Sequence, residues 1–363
     1  MSEALLVLAD GSVFPGVSVG ASGHADGEVV FNTSMTGYQE MLTDPSYAGQ
    51  LLVLTYPMIG NYGVDAAVEE SARIQPTGLV VREAAPLASH IRSSGTLDAF
   101  LRERGVVGIA EVDTRAITRR IRRHGVMLGT ITTHETAETA IARLRALPVY
   151  DDVNWVASVT TTDVYDWIGA GPTRKRVALL DGGVKRNIMR SLGARGCAIR
   201  VFPSGTPAAE LLAMRPDGIV LSPGPGDPRL LESMVTETRE LIGRVPILGI
   251  CLGHQVAAQA LGAGTFKLPF GHRGGNHPVK DVASGRVTVT AQNHGYAVDA
   301  DGLDSSAYVS HINLNDDTVE GIALRSEPLI TIQFHSEACP GPLDSMGIFD
   351  RFCAMMAPAG GER

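Results

Sequence analysis

The sequence predicts an α/β fold in two domains: an N-terminal mixed α/β domain rich in strands, then a C-terminal doubly wound, mostly parallel sheet. From about residue 177, short apolar runs alternate with helical runs, and this order is typical of a parallel sheet covered on both faces. Residues 1–150 are instead rich in Gly, Thr and β-branched residues. At 363 residues, the chain is long enough for each domain to bury its own core.

The N-terminal domain is placed at residues 1–160. Its helix signals fall at 96–104, 114–124 and 136–147. Residues 161–176 are polar and contain Gly and Pro, which is typical of a linker. The C-terminal domain then covers 177–357. The remaining residues, 358–363, are small and polar and are expected to form a frayed tail.

The first half of the C-terminal domain alternates strand and helix. Apolar runs predict buried strands at 177–180, 199–202, 218–221 and 246–250. Val184, Ile188 and Leu192 recur every four residues, as on one face of a helix. Further helices are predicted at 208–214, at 230–242, where the apolar period is about 3.6, and from about Leu252.

The second half of this domain, after about residue 264, is richer in β-like segments. Four shorter strands are predicted at 287–290, 308–310, 321–324 and 329–334. A last helix carries its apolar residues on one side, and these are Met346, Phe349, Cys353 and Met356. The domain therefore ends on a helix that can cover one face of the sheet.

Charge and hydropathy exclude several classes of function. The net charge of -8 would repel phosphodiester backbones, and no Lys/Arg stripe offsets it, so we expect no nucleic-acid partner. The first residues form a short apolar run without a basic region. No apolar stretch approaches about 18 residues. We therefore expect a cytoplasmic protein without an export signal or membrane segment.

The four cysteines, at 197, 251, 339 and 353, are too few and too scattered for a disulfide framework, which fits a reducing compartment. Their spacing also argues against a structural zinc site, and we expect no metal. His272 and His277 lie in a Gly-rich stretch and are expected to be solvated loop residues. The sequence contains no P-loop motif, and Gly224-Pro225-Gly226 lacks the third glycine of a dinucleotide fingerprint, so no cofactor is expected.

The sharpest chemical signal is Cys251, in the motif GICLG at 249–253 between a predicted strand and a predicted helix. This is the form of a nucleophile elbow with Cys in place of Ser. The flanking glycines suit a sharp turn, where a side chain would clash. The unsatisfied N–H groups at a helix N-terminus favour a thiolate. The non-catalytic alternative is a buried structural cysteine, but the glycines and the strand-turn-helix setting favour catalysis.

A thiolate that attacks an acyl carbon needs a general acid to protonate the leaving group, and His suits this near neutral pH. His254 is nearest in sequence but lies on the same helix, poorly aimed at the sulfur. His335 ends an apolar strand, and Glu337 lies two residues on, where an extended chain places it on the same side. Taken alone, a strand-end His with an exposed Glu is the simpler interpretation, but beside Cys251 a catalytic pair is favoured.

Such a site also needs donors for the developing oxyanion. The strand at 218–221 runs into the loop SPGPGDP at 222–228, whose glycines expose backbone N–H groups. We predict that the amides of Gly224 and Leu252 serve as these donors. Taken alone, Pro-Gly-Pro-Gly is more simply a rigid turn.

Together these motifs resemble the class I, or triad, glutamine amidotransferase family: GICLGHQ at 249–255, GPGDP at 224–228 and HSE at 335–337. Four further motifs are similar to the small chain of carbamoyl-phosphate synthase: FNTSMTGYQE at 31–40, TDPSY at 43–47, NHPVK at 276–280 and QNHG at 292–295. The resemblance spans nearly the whole chain. Its N-terminal motif is specific, because other triad amidotransferases lack that domain. It implies a C-terminal sheet of the class I amidotransferase type.

The resemblance also implies roles for individual residues. Cys251 corresponds to the nucleophile, His335 to the acid/base and Glu337 to the residue that orients it. Gly224 and Leu252 match the oxyanion positions. The positions that would hold glutamine are Ser46, Gly226, Gln255, Asn293, Gly295 and Tyr296, with Gly224 and Leu252 beside them. Since Ser46 lies in the N-terminal domain, the resemblance places the active site at the domain interface.

Three positions depart from the family pattern: Ser336 stands where most members carry Pro, Pro223 where Asn is usual, and Tyr296 where Phe is frequent. None of these changes removes a catalytic group. The family further implies a partner, a large ATP-dependent subunit with Mg that joins ammonia, bicarbonate and phosphate as carbamoyl phosphate for pyrimidine and arginine biosynthesis. Ammonia would reach it through an interior tunnel. The oligomeric state beyond this heterodimer stays open.

Three alternatives remain at this point. The chain could be the amidotransferase of another pathway, such as anthranilate or guanylate synthesis, although the N-terminal half with Ser46 argues against it. It could be a non-catalytic assembly subunit, although all three triad residues are present. A free-standing cysteine peptidase is disfavoured because the sequence gives no identifiable peptide groove.

Overall fold

The structure, a computed structural model, describes residues 2–169 and 172–356. These residues form two compact units, the first ending at Val153 and the second beginning at Asn154. The predicted tail at 358–363 lies outside the described residues. Within the described ranges, no helix combines the length and the apolarity that crossing a membrane requires.

The described residues of the first unit form nine strands. They are β1 (Glu3–Leu8), β2 (Val13–Gly20), β3 (His24–Asn32), β4 (Gln50–Leu54), β5 (Met58–Ile59), β6 (Gly78–Val80), β7 (Glu83–Ala84), β8 (Val107–Ala110) and β9 (Met127–Thr132). Seven of them close a barrel in the order β1-β2-β8-β6-β4-β3-β9, and β5 pairs with β7 in a separate small sheet. The predicted strand-rich character of this part is therefore confirmed.

Four α-helices accompany the barrel: α1 (Tyr38–Leu42), α2 (Leu97–Glu103), α3 (Thr114–His124) and α4 (Ala137–Leu144). The last three confirm the predicted helices, and each begins after a side chain that accepts a backbone N–H bond. These capping residues are Thr96, Asp113 and Thr136. Three short 3₁₀ helices lie at Pro45–Tyr47, Ala66–Val68 and Tyr150–Asp152.

In the second unit, residues 154–169 and 172–356 form ten strands and six α-helices. In chain order they are α5 (Val156–Val159), β10 (Tyr165–Ile168), β11 (Lys175–Asp181), α6 (Arg186–Gly193), β12 (Cys197–Pro203), α7 (Ala208–Ala213), β13 (Gly218–Leu221), α8 (Glu232–Leu241), β14 (Ile247–Ile250), α9 (Leu252–Ala260), β15 (Gly264–Asp281), β16 (Val287–Asp299), β17 (Ala307–Asn313), β18 (Val319–Leu324), β19 (Leu329–Ile332) and α10 (Gly347–Met355). A 3₁₀ helix at Pro228–Leu230 precedes α8.

All ten strands form one mixed sheet in the order β10-β12-β11-β13-β14-β19-β18-β16-β15-β17. The neighbours from β12 to β19 are parallel to one another. The remaining pairs are antiparallel. The predicted parallel region is thus present, and the shorter strands after residue 264 extend it with an antiparallel half.

Helices cover both faces of the parallel part, because alternate strand residues point to opposite sides. On β11, Ala178 and Leu180 enter one core with residues of α7, α8 and α9, whereas Val177 and Leu179 enter the other with residues of α6 and α10. This is the doubly wound arrangement that the sequence predicts.

One segment differs from the prediction. Residues 161–176 were expected to be a linker, but Tyr165–Ile168 within it forms β10, which pairs antiparallel with β12 at the edge of the sheet. An edge strand needs pairing on one side only, so exposed polar residues are tolerated there, and the composition resembles that of a linker. Tyr165–Ile168 and the start of β11 at Lys175 therefore belong to the sheet.

Candidate active site

Cys251 lies in the turn between β14 and α9. Its backbone adopts φ +53° and ψ -105°, a conformation that costs energy for any residue with a side chain and that is characteristic of functional turns. Its N–H donates to the carbonyl of Ile332 in the neighbouring strand β19. The turn is therefore fixed by the sheet, and the sulfur is held at the N-terminus of α9.

The two glycines around Cys251 are required by close backbone contacts. A Cβ on Gly253 would meet the carbonyl oxygen of Leu221 at 2.2 Å, and one on Gly249 would meet the oxygen of Gly253 at 2.7 Å. No side chain fits at such distances. The steric argument made from the sequence is confirmed at both positions.

The Cys251 side chain is 2% exposed. Its sulfur lies 3.8 Å from the carbonyl oxygen of Asn293, and the side-chain N–H group of Gln333 points to it at 3.6 Å. Gln333 was not predicted as a site residue. The available signal was spacing, because Gln333 lies two residues before His335 at the end of the predicted strand 329–334.

The imidazole of His335 contacts the carboxylate of Glu337, with Nδ1 and Oε1 2.6 Å apart. Burial would lower the pKa of His335, but the negative charges of Glu337 and Cys251 raise it to about 10. The Cys251 sulfur is thus close enough to attract the proton of the ring. Among the described residues, Nε2 of His335 has no well-aligned hydrogen-bond partner, which leaves it available for a reacting group.

Lys185 completes this arrangement and was missed by the sequence analysis. Its Nζ lies 3.1 Å from Oε1 of Glu337, both side chains are buried, and it also donates to the carbonyl of Ala338 at 2.6 Å. Burial would raise the pKa of Glu337, but Lys185 and His335 lower it to about 2. The carboxylate therefore stays ionised beside the imidazole. Lys185 gave no sequence signal, because its partner lies on a distant segment.

His254 is excluded as the acid. It is fully buried and its Nδ1 lies 2.8 Å from the hydroxyl of Thr331. Burial, with a smaller contribution from His311, lowers the pKa of His254 to about 3. It stays neutral at physiological pH, whereas His335 is protonated.

Several predicted glutamine-binding residues lie around the sulfur. The side-chain amide of Gln255 donates to the carbonyl of Tyr296 at 2.9 Å and to Gln333 at 3.0 Å. Asn293, Gly295 and Tyr296 are consecutive or nearly so on β16. One wall of the candidate site is therefore β16, held against α9 by the Gln255 amide.

The predicted oxyanion donors are adjacent. A Cβ on Gly224 would lie 2.5 Å from a side-chain carbon of Leu252, so the two residues are in contact. Leu252 is the first residue of α9, where N–H groups have no acceptor within the helix. Gly226 adopts φ +88° and packs against Trp155. Their catalytic and binding roles stay predictions.

Ser46 lies in the first unit, in the 3₁₀ helix Pro45–Tyr47. Its backbone N–H donates to Asp44, and its buried hydroxyl has no hydrogen-bond partner within the described part of the chain. Its role in binding glutamine stays a prediction. Of the two further departures from the family pattern, Ser336 is fully buried and Pro223 accepts a hydrogen bond from Ser222.

Comparison with known proteins covers both units. The family described as carbamoyl-phosphate synthase small chain, CPSase domain, matches residues 6–131, and glutamine amidotransferase class-I matches residues 178–355.

Similar proteins named carbamoyl phosphate synthase small chain occur in several bacteria. That of Syntrophotalea carbinolica is 46% identical, over 98% of each chain. That of Symbiobacterium thermophilum is 50% identical, over 96% of this chain and 97% of its own. That of Listeria monocytogenes is 49% identical, over 98% and 97%. These similarities, together with the buried Cys251, His335 and Glu337, show that the chain belongs to the carbamoyl-phosphate synthase small chain family, whose members are the glutamine amidotransferase subunits of that enzyme.

Proposed function

We propose that this chain hydrolyses glutamine to glutamate and ammonia through Cys251, His335 and Glu337, and delivers the ammonia to a large ATP-dependent subunit. The observation that carries the proposal is the buried arrangement of a strained cysteine at a helix N-terminus beside an imidazole bonded to an ionised carboxylate. These are the parts that nucleophilic acyl transfer requires.

In the first step, the Cys251 thiolate attacks the side-chain amide carbon of glutamine. His335, whose raised pKa keeps it protonated, gives its Nε2 proton to the departing nitrogen, so that ammonia leaves and a glutamyl thioester remains. The amides of Gly224 and Leu252 stabilise the negative oxygen of the tetrahedral intermediate.

In the second step, water attacks the thioester. His335, neutral after the first step, accepts a proton from this water, and the C–S bond breaks to give glutamate and the thiolate. Glu337 orients the ring through Nδ1 in both steps, and Lys185 keeps Glu337 ionised. The reactive groups all belong to the second unit, and in this proposal glutamine binds beside Gly226, Gln255, Asn293, Gly295 and Tyr296.

The second half of the proposal concerns the partner. Ammonia released here is used by the carbamoyl-phosphate synthase large chain, which binds ATP and Mg and forms carbamoyl phosphate from bicarbonate in the cytoplasm. The names of the bacterial relatives, each a small chain, support such a partner. Carbamoyl phosphate then serves pyrimidine and arginine biosynthesis.

The proposal is tested with Cys251→Ser in the assembled enzyme. Glutamine-dependent carbamoyl phosphate synthesis should fall by at least about a thousandfold, because loss of a triad nucleophile removes the covalent route, whereas ammonia-dependent synthesis should persist. Cys353→Ala, on α10, is the matched control and should retain both activities.

Three results contradict the proposal. Loss of both activities in Cys251→Ser would show that Cys251 supports assembly instead of hydrolysis. Failure of 6-diazo-5-oxo-norleucine, a glutamine-like alkylator, to label Cys251 would favour a non-catalytic subunit. Co-purification with an anthranilate or guanylate synthase would assign the chain to another pathway.

A further inference from the structure

Three buried side chains that the proposed mechanism does not use converge in the antiparallel half of the sheet. They are His272 on β15, His294 on β16 and Glu320 on β18. His272 and His294 are direct partners across the β15–β16 ladder, so their side chains stand on the same face. One nitrogen of each ring and one oxygen of Glu320 all lie within 4.8 Å of one another.

The tautomer of His294 is fixed by its backbone contact. Its Nδ1 lies 2.7 Å from the carbonyl oxygen of Tyr296, and a carbonyl can only accept, so Nδ1 carries the proton. The lone pair is then on Nε2. This atom is buried and has no hydrogen-bond partner in the described ranges. Leaving such a buried nitrogen unsatisfied is energetically unfavourable.

His272 shows the same pattern. Its Nε2 lies 2.8 Å from a carboxylate oxygen of Asp316, which holds a proton on that nitrogen. Its Nδ1 is buried, lacks a hydrogen-bond partner among the described residues, and lies 3.8 Å from Oε1 of Glu320. That separation is too long for a hydrogen bond. A histidine oriented by a carboxylate through one nitrogen is typical of metal ligands that bind through the other.

Glu320 is held by neighbouring amides. Its Oε2 accepts from the side chain of Gln292 at 2.9 Å, and its Oε1 accepts from Asn313 at 2.8 Å. Glu320 is fully buried, and a buried carboxylate needs such bonds or a cation. The carboxylate is therefore fixed in place with one oxygen directed toward the two histidines.

We propose that His272 Nδ1, His294 Nε2 and Glu320 Oε1 bind one divalent transition metal ion of the zinc type. Two imidazole nitrogens and a carboxylate oxygen are a ligand set that zinc accepts, with a fourth position left for water. Bond lengths near 2.0–2.1 Å require ligand atoms about 3.4 Å apart, so each ligand moves inward by less than about 1 Å. The ion would link three strands, β15, β16 and β18, and stabilise this half of the sheet.

A proton is the alternative occupant. Burial lowers the pKa of His272, but Glu320 and Asp316 raise it overall, so a protonated imidazole could fill the place of the ion. A second group elsewhere, His24, His134 and Glu135, must also be distinguished. Its histidines are exposed, and Glu135 already pairs with Arg143 at 2.6 Å, which makes it the weaker ligand set.

The test is a metal count on the full chain. Protein stripped with a chelator is equilibrated with Zn²⁺, freed of unbound ion and analysed by mass spectrometry, and the absorption spectrum is recorded after loading with Co²⁺. We compare the wild type with His272→Gln and Glu320→Gln. Two matched controls remove other histidines: His311→Gln in the same sheet and His134→Gln in the exposed group.

We expect about one ion per chain in the wild type and both controls, with the visible absorption of low-symmetry Co²⁺, and loss of both signals in the two ligand variants. Asp316→Asn should weaken binding by about 10–100-fold, because it removes the residue that orients His272. This variant also decides the question if a ligand variant fails to fold.

Three results overturn the proposal. The wild type could retain no ion, which would assign the site to a protonated His272. The ligand variants could bind as the wild type does, or His134→Gln alone could lose the ion. None of these readouts depends on glutamine hydrolysis, so the metal site can fail while the proposed activity stands.

Discussion

Replacement of Lys185 by Met tests whether a buried cation keeps the Glu337 carboxylate ionised. Lys185 and Glu337 are 3.1 Å apart, with side chains 3% and 0% exposed, so water screens their attraction only weakly. At an effective dielectric constant of about 20, this attraction is about 5 kcal/mol. Removal of one member of a buried pair costs about 3–5 kcal/mol. We expect the free energy of unfolding to fall by an amount in that range.

The loss should depend on pH. The pKa of Glu337 is about 2 in the folded protein and 4.5 ordinarily, because Lys185 and His335 outweigh burial. Its stabilising contribution is therefore present above about pH 4.5 and disappears as the pH falls toward 2. Without Lys185 the pKa of Glu337 rises, so the destabilisation is largest near neutral pH and shrinks in acid.

The assay is urea unfolding followed by circular dichroism, at about pH 7.5 and about pH 4.5, together with glutaminase activity over the same range. As the pH is lowered, the activity of Lys185→Met should fall before that of the wild type, because Glu337 becomes protonated at a higher pH and then no longer attracts the His335 proton. Lys280→Met, an exposed lysine on β15, is the control and should change stability by less than about 0.5 kcal/mol. A loss below about 1 kcal/mol at both pH values would refute the role given to Lys185.

Other predictions follow from single contacts. Gly253→Ala should abolish glutaminase activity, because its Cβ would meet a β13 carbonyl oxygen at 2.2 Å. Gly347→Ala is the control, because a Cβ at this position meets nothing within 4 Å. Equal activities of the two variants would contradict the prediction. Gln333→Leu removes the donor 3.6 Å from the Cys251 sulfur and should lower kcat by roughly tenfold with the circular dichroism spectrum unchanged; an unaltered kcat would count against it. A hydrogen bond from the Cys197 thiol lowers the pKa of Cys353 to about 7, with burial opposing this shift and nearby cations assisting it. In a Cys251→Ser background, the alkylation of Cys353 by iodoacetamide should therefore rise through about pH 7. A midpoint at the ordinary pKa of 9.0 would disprove this prediction.

The parallel half of the sheet could be predicted because its signals are local. Each buried strand is a short apolar run, and each helix shows its own period. The same holds for Cys251, since the glycines that permit its turn are its immediate neighbours. The pairing of His335 with Glu337 was also predicted, from their spacing of two residues, although in the structure Glu337 lies in a turn that follows His335.

The remaining features depend on contacts between distant segments. Closure of the N-terminal barrel and the antiparallel extension require pairings that no local pattern encodes. Lys185 is far along the chain from Glu337, and only folding places the two side chains beside each other. The positions of Lys185 and Glu337 in the sequence could not reveal this ion pair.

His272 shows a different failure. The Gly-rich stretch around it suggested a solvated loop, but the structure places His272 in the long strand β15, buried, so that expectation was wrong. The ladder between β15 and β16 is irregular near this point, and glycines are typical of such irregularities. The expected absence of a metal rested on spacing along the chain, which takes no account of the proposed site, because its three residues come from three different strands.

The ladder between β14 and β19 has a consequence for how the chain tolerates change. Ile250 is paired with Ile332, so Cys251 directly follows the end of β14 and His335 lies three residues beyond the end of β19. The distance between Cys251 and His335 therefore depends on how many residues lie between each of them and the paired residues of β14 and β19. Adding or deleting one residue inside β19 would turn His335 to the opposite side of the sheet. The proposed glutaminase activity would then be lost although Cys251, His335 and Glu337 are all still present.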